Sequence, residues 1–293
     1  VPHAGPDSAR FREVVALGAA LKAIGEVAGQ PVAADVALLW DWNAWWACDL
    51  DSHPSGALRY EDAPNRWHKA LTDLGATVDV VHPSADLSGY ELVIVPTLYL
   101  CSDAVGPALH AVVERGGHVL VTYFSGIVDE RDHVRLGGYP GAFRELLGVR
   151  SEEFAPLQAG ESVTLDDGSH ADLWTEVLTA SDVDVLASYV DGPLPGTPAV
   201  TRHGRAWYVA TRLDEAATAA LAQRITQEAG VQLRKGARAG VEIVRRGPYV
   251  FVLNGSEEAA EVSVDGVDLL TGSAHHGTIT VASRSAAVVR ERT

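Results

Sequence analysis

Cys101, Ser125 and the acidic run Asp129-Glu130-Arg131-Asp132-His133 are the side chains whose types and spacing could do bond-breaking chemistry. A thiol or hydroxyl becomes a nucleophile when a tight turn after a strand exposes it and a helix begins directly behind. The turn after HVLVTYF reads Tyr123-Phe124-Ser125-Gly126, so no cysteine occupies that elbow, and the glycine flanks of a serine elbow are missing. Cys101 follows the preceding strand, with Ser102-Asp103 placed to cap a helix. A helix N-terminus would lower the thiol pKa, but a half-buried, unreactive thiol is the expectation. In the acidic run, carboxylates and a histidine could ligate a metal or exchange protons. The interposed Arg131 predicts internal ion pairing in a solvated loop instead, and neither a metal nor a cofactor is expected. The glycines and Tyr139-Pro140 around the run mark an ordered functional or interface loop. His275 and His276, adjacent in a strand, point to opposite faces and make poor co-ligands.

Four of the seven tryptophans, Trp40, Trp42, Trp45 and Trp46, fall within seven residues of VALLWDWNAWWACDL. Val36–Trp40 reads as a buried strand, and the other three tryptophans are predicted in the loop beyond its carboxyl end. Open α/β sheets place a ligand or a partner surface there. Tryptophan serves both, as a sugar platform or as an interface anchor; an interface is the favoured reading.

The elements that must position these residues alternate in type. Phe11, Val14, Val15, Leu21, Ile24 and Val27 recur at helical spacing behind an Asp7 or Ser8 cap, and Gly29 and Pro31 stop that helix. Residues 35–125 then read strand, helix, strand, strand, helix, strand. DVALLW, TVDVVHP, ELVIVPTLYL and HVLVTYF supply the strands of a parallel sheet covered on both faces. Helices fall at 61–74, with Trp67, Leu71 and Leu74 on one face, and at DAVGPALHAVVERGG. Further strands (SVTL, DVLASYV, AWYVATRL) and an alanine-rich helix at 215–229 lead to a linker near 231–239. Beyond 240, short strands separated by Asn254-Gly255, Asp265-Gly266 and His276-Gly277 predict a small all-β sandwich.

Composition narrows the function classes. A net charge of −16 over 293 residues argues against nucleic acid, whose phosphates need a basic face. No stretch approaches the roughly 18 apolar residues of a membrane span. Two cysteines form no disulfide framework and fit a reducing compartment, so the cytoplasm is the expected location. Val1 in place of an initiator, in a chain without methionine, reads as a piece of something longer.

Taken in order, VPHAGPDSARFREVVALGAALKAI, DVALLWDWNAWWA, RWHKALTDLGATVDVVHP, LVIVPTLYLCSD, GGHVLVTYFSGIVDERDHVRLGGYPG and the closing VLNG…DLLTG resemble the C-terminal half of glycoside hydrolase family 42, the microbial β-galactosidases. The resemblance covers nearly the whole chain. It implies residues 1–34 as the loop and last helix of a (β/α)₈ barrel. Residues 35–232 become a flavodoxin- or class I glutamine amidotransferase-like trimerisation domain with an open parallel sheet, and 238–293 a terminal β-sandwich. A barrel needs about 250 residues of its own. The two carboxyl groups that retaining glycoside hydrolysis holds about 5 Å apart therefore have no counterpart here. The implied role is non-catalytic: assembling a homotrimer and enclosing the active sites of a galactoside hydrolase whose barrel is missing. Trp42, Trp45, Trp46, Tyr123, Phe124, Asp129, His133 and Tyr139 are the predicted interface or active-site-wall residues. The resemblance also implies a shortened hairpin around Arg202–Trp207. The competing readings are a stand-alone amidotransferase-like hydrolase using Cys101 or Ser125, and a carbohydrate-binding module built on the Trp40–Trp46 cluster.

Overall fold

The computed structural model describes residues 3–292. Their contacts divide into two units. One comprises Ala34–Leu71 and Val78–Gln232; the other gathers the residues up to Ala33, Thr72–Thr77 and Leu233 onward.

In the larger unit the apolar runs form a sheet of seven strands among the described residues. β1 (Val36–Leu39), β2 (Val78–Val81), β3 (Leu92–Val95) and β4 (His118–Thr122) run in the order β2-β1-β3-β4. Ala206–Val209, Pro198–His203 and Asp184–Ser188 complete it. The first five strands are parallel. Pro198–His203 runs antiparallel to both its neighbours, so the sheet is mixed and not the all-parallel sheet predicted. The reason is local: Gly204-Arg205 closes a two-residue hairpin between His203 and Ala206, too short for a parallel crossover. β1, β3 and β4 are buried along their length, which is why they read as unbroken apolar runs.

The helices are shorter than the periodicity suggested. α1 (Ala9–Ala23) is capped by Ser8, whose Oγ accepts from the Phe11 amide at 3.3 Å. No residue of α1 is buried, and Val14, Val15, Leu17 and Leu21 are each more than half exposed. Only the short turn behind it is anchored, with Val27 packed on Tyr249 and Val288 of the same unit. α2 (Trp42–Cys48) lies where a loop was predicted. Asp41 makes the difference: its Oδ1 accepts from the Asn43 amide at 2.8 Å and starts the helix directly behind β1. α3 (Asp62–Asp73) buries Trp67 and Leu71, while Leu74 lies past its end and is half-buried. α4 (Val105–Glu114) begins at Ala104 with no side-chain cap, so Ser102-Asp103 does not play the predicted role.

The smaller unit carries a five-stranded sheet and a two-stranded one, Ala260–Val262 with Ile279–Val281. Both contribute to one apolar core that includes Ile243, Val252, Val262, Val281 and Val289. Gly266 departs from its predicted turn and opens a strand, Gly266–Asp268. A side chain there would meet the Arg290 carbonyl oxygen at 2.2 Å, so only glycine fits. No helix among the described residues is long and apolar enough to cross a membrane.

Candidate functional site

The tryptophans beyond β1 divide into two roles. Trp40 meets Trp42, Trp45 and Tyr60 edge-on, at 5.7, 5.3 and 5.2 Å between ring centroids. Trp45 lies between Trp42, stacked at 5.2 Å, and Tyr60, stacked at 6.4 Å. Tyr60 is fully buried, and its hydroxyl accepts from the Asp41 amide at 3.0 Å. Trp40, Trp45 and Tyr60 thus form a rigid aromatic base. Trp42 stands on it, 55% exposed, and Trp46 and Leu50 are 63% and 55% exposed. Spaced at intervals of four residues, the three make an apolar ridge along α2 and its end. Trp46 also borders a cavity of about 370 Å³ with Asp41, His82, Ser84, Ser102 and Glu130.

Neither candidate nucleophile is presented to solvent. Ser125 is buried; its Oγ accepts from the Leu98 amide at 3.0 Å and donates to the Val95 carbonyl at 3.5 Å, tying the turn after β4 to the end of β3. The elbow conformation itself exists, for Phe124 has φ +57°. A strained left-handed turn after a strand is where an amidotransferase-like hydrolase carries its nucleophile, and here a phenyl ring fills it. Cys101 is fully buried and not half-buried as predicted. Burial pushes its thiol up to about 12, against the opposing pull of Arg135. Native Cys101 is therefore expected to alkylate about a thousandfold more slowly at pH 8 than the unfolded thiol, whose pKa is near 8.5. Timed mass spectrometry with and without urea checks this, and equal rates would contradict it.

The acidic run is ordered by backbone hydrogen bonds. Asp129 Oδ1 accepts from the amides of Arg131 and His133 at 2.8 and 3.0 Å. These amides hold its carboxyl below the usual carboxylate range. Its ion partner is His133, with Oδ2 3.5 Å from Nδ1, and not the predicted Arg131. Arg135 donates to Asp103 and to the Cys101 carbonyl, at 2.6 and 2.8 Å. Arg144 donates to the carbonyls of Leu136 and Gly138, at 3.0 and 2.6 Å. The loop so braced carries Leu136 at 87% exposure. Among the described residues no three His, Cys, Asp or Glu gather closely enough to hold a metal.

Of the eight predicted interface or wall residues, Tyr123 and Phe124 do not reach the surface. Both are buried against Trp174, at 6.1 and 4.9 Å. They belong to an aromatic seam that continues through Phe154 to Tyr139, stacked on Phe154 at 4.5 Å. Trp42, Trp46, Asp129, His133 and Tyr139 retain some exposure, and Trp45, half-buried, is stacked on Trp42.

The sequence reading passed over Glu176, which lies fully buried behind this seam. Trp174 Nε1 donates to its Oε1 at 2.9 Å, and the Tyr208 hydroxyl to its Oε2 at 2.7 Å. The Phe124 amide approaches Oε1 at 3.5 Å. Burial outweighs these donors and raises its pKa to about 7. The available signal was a carboxylate two residues after Trp174, at the head of the strand Glu176–Ala180.

Comparison with known proteins gives a consistent picture. A family model described as the β-galactosidase trimerisation domain matches residues 34–232, and one described as the β-galactosidase C-terminal domain matches 240–291. A β-galactosidase from an Arthrobacter species is 45% identical over 300 residues, covering 99% of this chain and 43% of that protein. The β-galactosidase LacZ of Heyndrickxia coagulans is 36% identical over 304 residues, covering 99% and 46%. The crystal structure of a β-galactosidase from Bacillus circulans sp. alkalophilus superposes with a TM-score of 0.91 at 30% identity, covering 98% of this chain and 46% of that one. The chain thus spans less than half the length of the curated relatives it matches.

Proposed function

Because this chain belongs to the family 42 β-galactosidases and matches their trimerisation and C-terminal domains, we propose that it is their non-catalytic assembly region, holding copies together and walling the active sites of a galactoside hydrolase. The observation that carries the reading is Trp42, exposed on a pre-stacked aromatic base, with Leu50 exposed beyond the same helix. Large aromatic side chains already locked by their neighbours lose little entropy on docking and make strong interface anchors. The braced loop with Asp129, His133 and Tyr139 is the proposed wall element. The exposed apolar side chains of α1 are the proposed seat of the catalytic barrel. The homotrimer, the barrel and the galactoside substrate all belong to this proposal.

The strand order β2-β1-β3-β4, continued by a parallel fifth strand, supports a flavodoxin- or amidotransferase-like ancestry. Phe124 at the elbow and the buried Ser125 and Cys101 speak against the hydrolase alternative. Two buried, unpaired thiols accord with the cytoplasm as the proposed location.

Trp42→Ala tests the reading. Removing a central anchor is expected to weaken self-association by about 2 kcal/mol, or roughly thirtyfold. Light scattering over a dilution series reads the midpoint; an unchanged midpoint would count against the ridge. The isolated chain is also expected to hydrolyse no aryl β-galactoside above blank.

A further inference from the structure

We propose that the cavity at the carboxyl ends of β1, β2 and β3 is a binding site for a neutral sugar of hexose size. The chain leaves β1 for β2 on one side and then crosses to β3 on the other. The crevice between β1 and β3 is therefore the switch point where open α/β sheets take ligands. Three strand ends contribute to it, Asp41 and Trp46 after β1, His82 and Ser84 after β2, and Ser102 after β3, and the exposed Glu130 borders it. At about 370 Å³ it falls within the size range of ligand pockets, about 300–1,000 Å³.

The polar groups are fixed before any ligand arrives. The Asp41 side chain is only 10% exposed. Its Oδ1 is committed to the Asn43 amide, and its Oδ2 is 3.6 Å from His82 Nε2, too far for a hydrogen bond and free to accept one. The His82 ring is oriented by Ser84, whose Oγ is 2.8 Å from Nδ1. Carboxylates accept, the imidazole donates or accepts by tautomer, and the Ser84 and Ser102 hydroxyls can do either. The carboxylates of Asp41 and Glu130 disfavour an anion, and the donors beside them set the lining apart from the all-oxygen acceptor shell of a hard metal cation. A mixture beside an exposed indole face suits a ring bearing vicinal hydroxyls on one side and C–H groups on the other. Trp46, the most exposed tryptophan of the cluster, supplies that face.

Galactose is the first probe because of the galactosidase reading; the site itself is argued without it. Ligand-observed saturation-transfer NMR and calorimetry on the full chain test it with galactose, glucose, choline and inorganic phosphate. Saturable hexose binding is expected, weakened at least tenfold by Trp46→Ala and by Asp41→Asn, with melting temperatures unchanged. Asparagine keeps the helix cap and removes the charge, so that variant isolates recognition from folding. The proposal falls if neither hexose saturates, if Trp46→Ala binds as well as the parent chain, or if choline or phosphate binds in place of the hexose. Light scattering on the same samples separates the two ideas: intact association without sugar binding overturns this site alone, and sugar binding by a monomer overturns only the assembly reading.

Discussion

Replacing Glu176 with glutamine is expected to flatten the pH dependence of stability between about pH 4.5 and 7. The carboxyl is fully buried, and its folded pKa of about 7 lies above that of an unfolded glutamate. Between those two values the folded chain holds a proton that the unfolded chain releases. Unfolding therefore releases protons, and the stability contributed by Glu176 falls as pH rises through this window. At about 1.4 kcal/mol per pH unit the loss amounts to about 3 kcal/mol by pH 7 and is complete just above it. Glutamine can keep the network: its Oε1 accepts from Trp174 Nε1, and its amide donates to the Tyr208 oxygen, which is free to rotate its own proton away. Urea midpoints of both proteins at pH 5 and pH 8 decide the matter. Glutamine should gain on the parent by about 3 kcal/mol between those pH values, and parallel profiles would remove burial as the cause of the shift. The same experiment probes the elbow, because Glu176 faces the Phe124 amide.

Asn254→Ala is expected to destabilise the smaller unit by about 3 kcal/mol, and Asn254→Asp by at least as much. The side chain is 2% exposed at the end of the strand Tyr249–Asn254. Its Nδ2 donates to the carbonyls of Glu258, Val281 and Ala282 at 2.8, 3.0 and 2.9 Å. Its Oδ1 accepts from the Ser256 amide and hydroxyl at 3.0 and 2.6 Å. One side chain thus closes a turn and links it to the end of the strand Ile279–Val281. Alanine leaves buried carbonyls without a donor. Aspartate is worse in kind, since it turns an acceptor toward three acceptors. Calorimetry resolving the unfolding of this unit checks the value, and a loss below about 1 kcal/mol would show that water replaces the amide without cost.

Where one local signal sufficed, the fold was legible in the residues. β1, β3 and β4 are short, unbroken apolar runs, and burial on both faces explains that pattern. The helix behind β1 was missed because three tryptophans in seven residues look unlike an amphipathic helix; the deciding signal was Asp41, a cap whose partner is two residues away. The reversal of Pro198–His203 rests on a two-residue turn, Gly204-Arg205, which the apolar run of AWYV does not reveal. The candidate site was half legible. Clustering of the tryptophans in sequence revealed the ridge, but Tyr123 and Phe124 were misplaced because an aromatic pair after a strand can turn inward as readily as outward. The cavity could not be read at all, since Asp41, His82 and Ser102 come together only once β1, β2 and β3 take their places.

Sedimentation equilibrium of the purified chain over a wide concentration range tests the assembly role most directly. The proposed role requires a mass that rises with concentration toward three chains and stays there. A mass of one chain throughout, at concentrations where the protein remains folded, would contradict it.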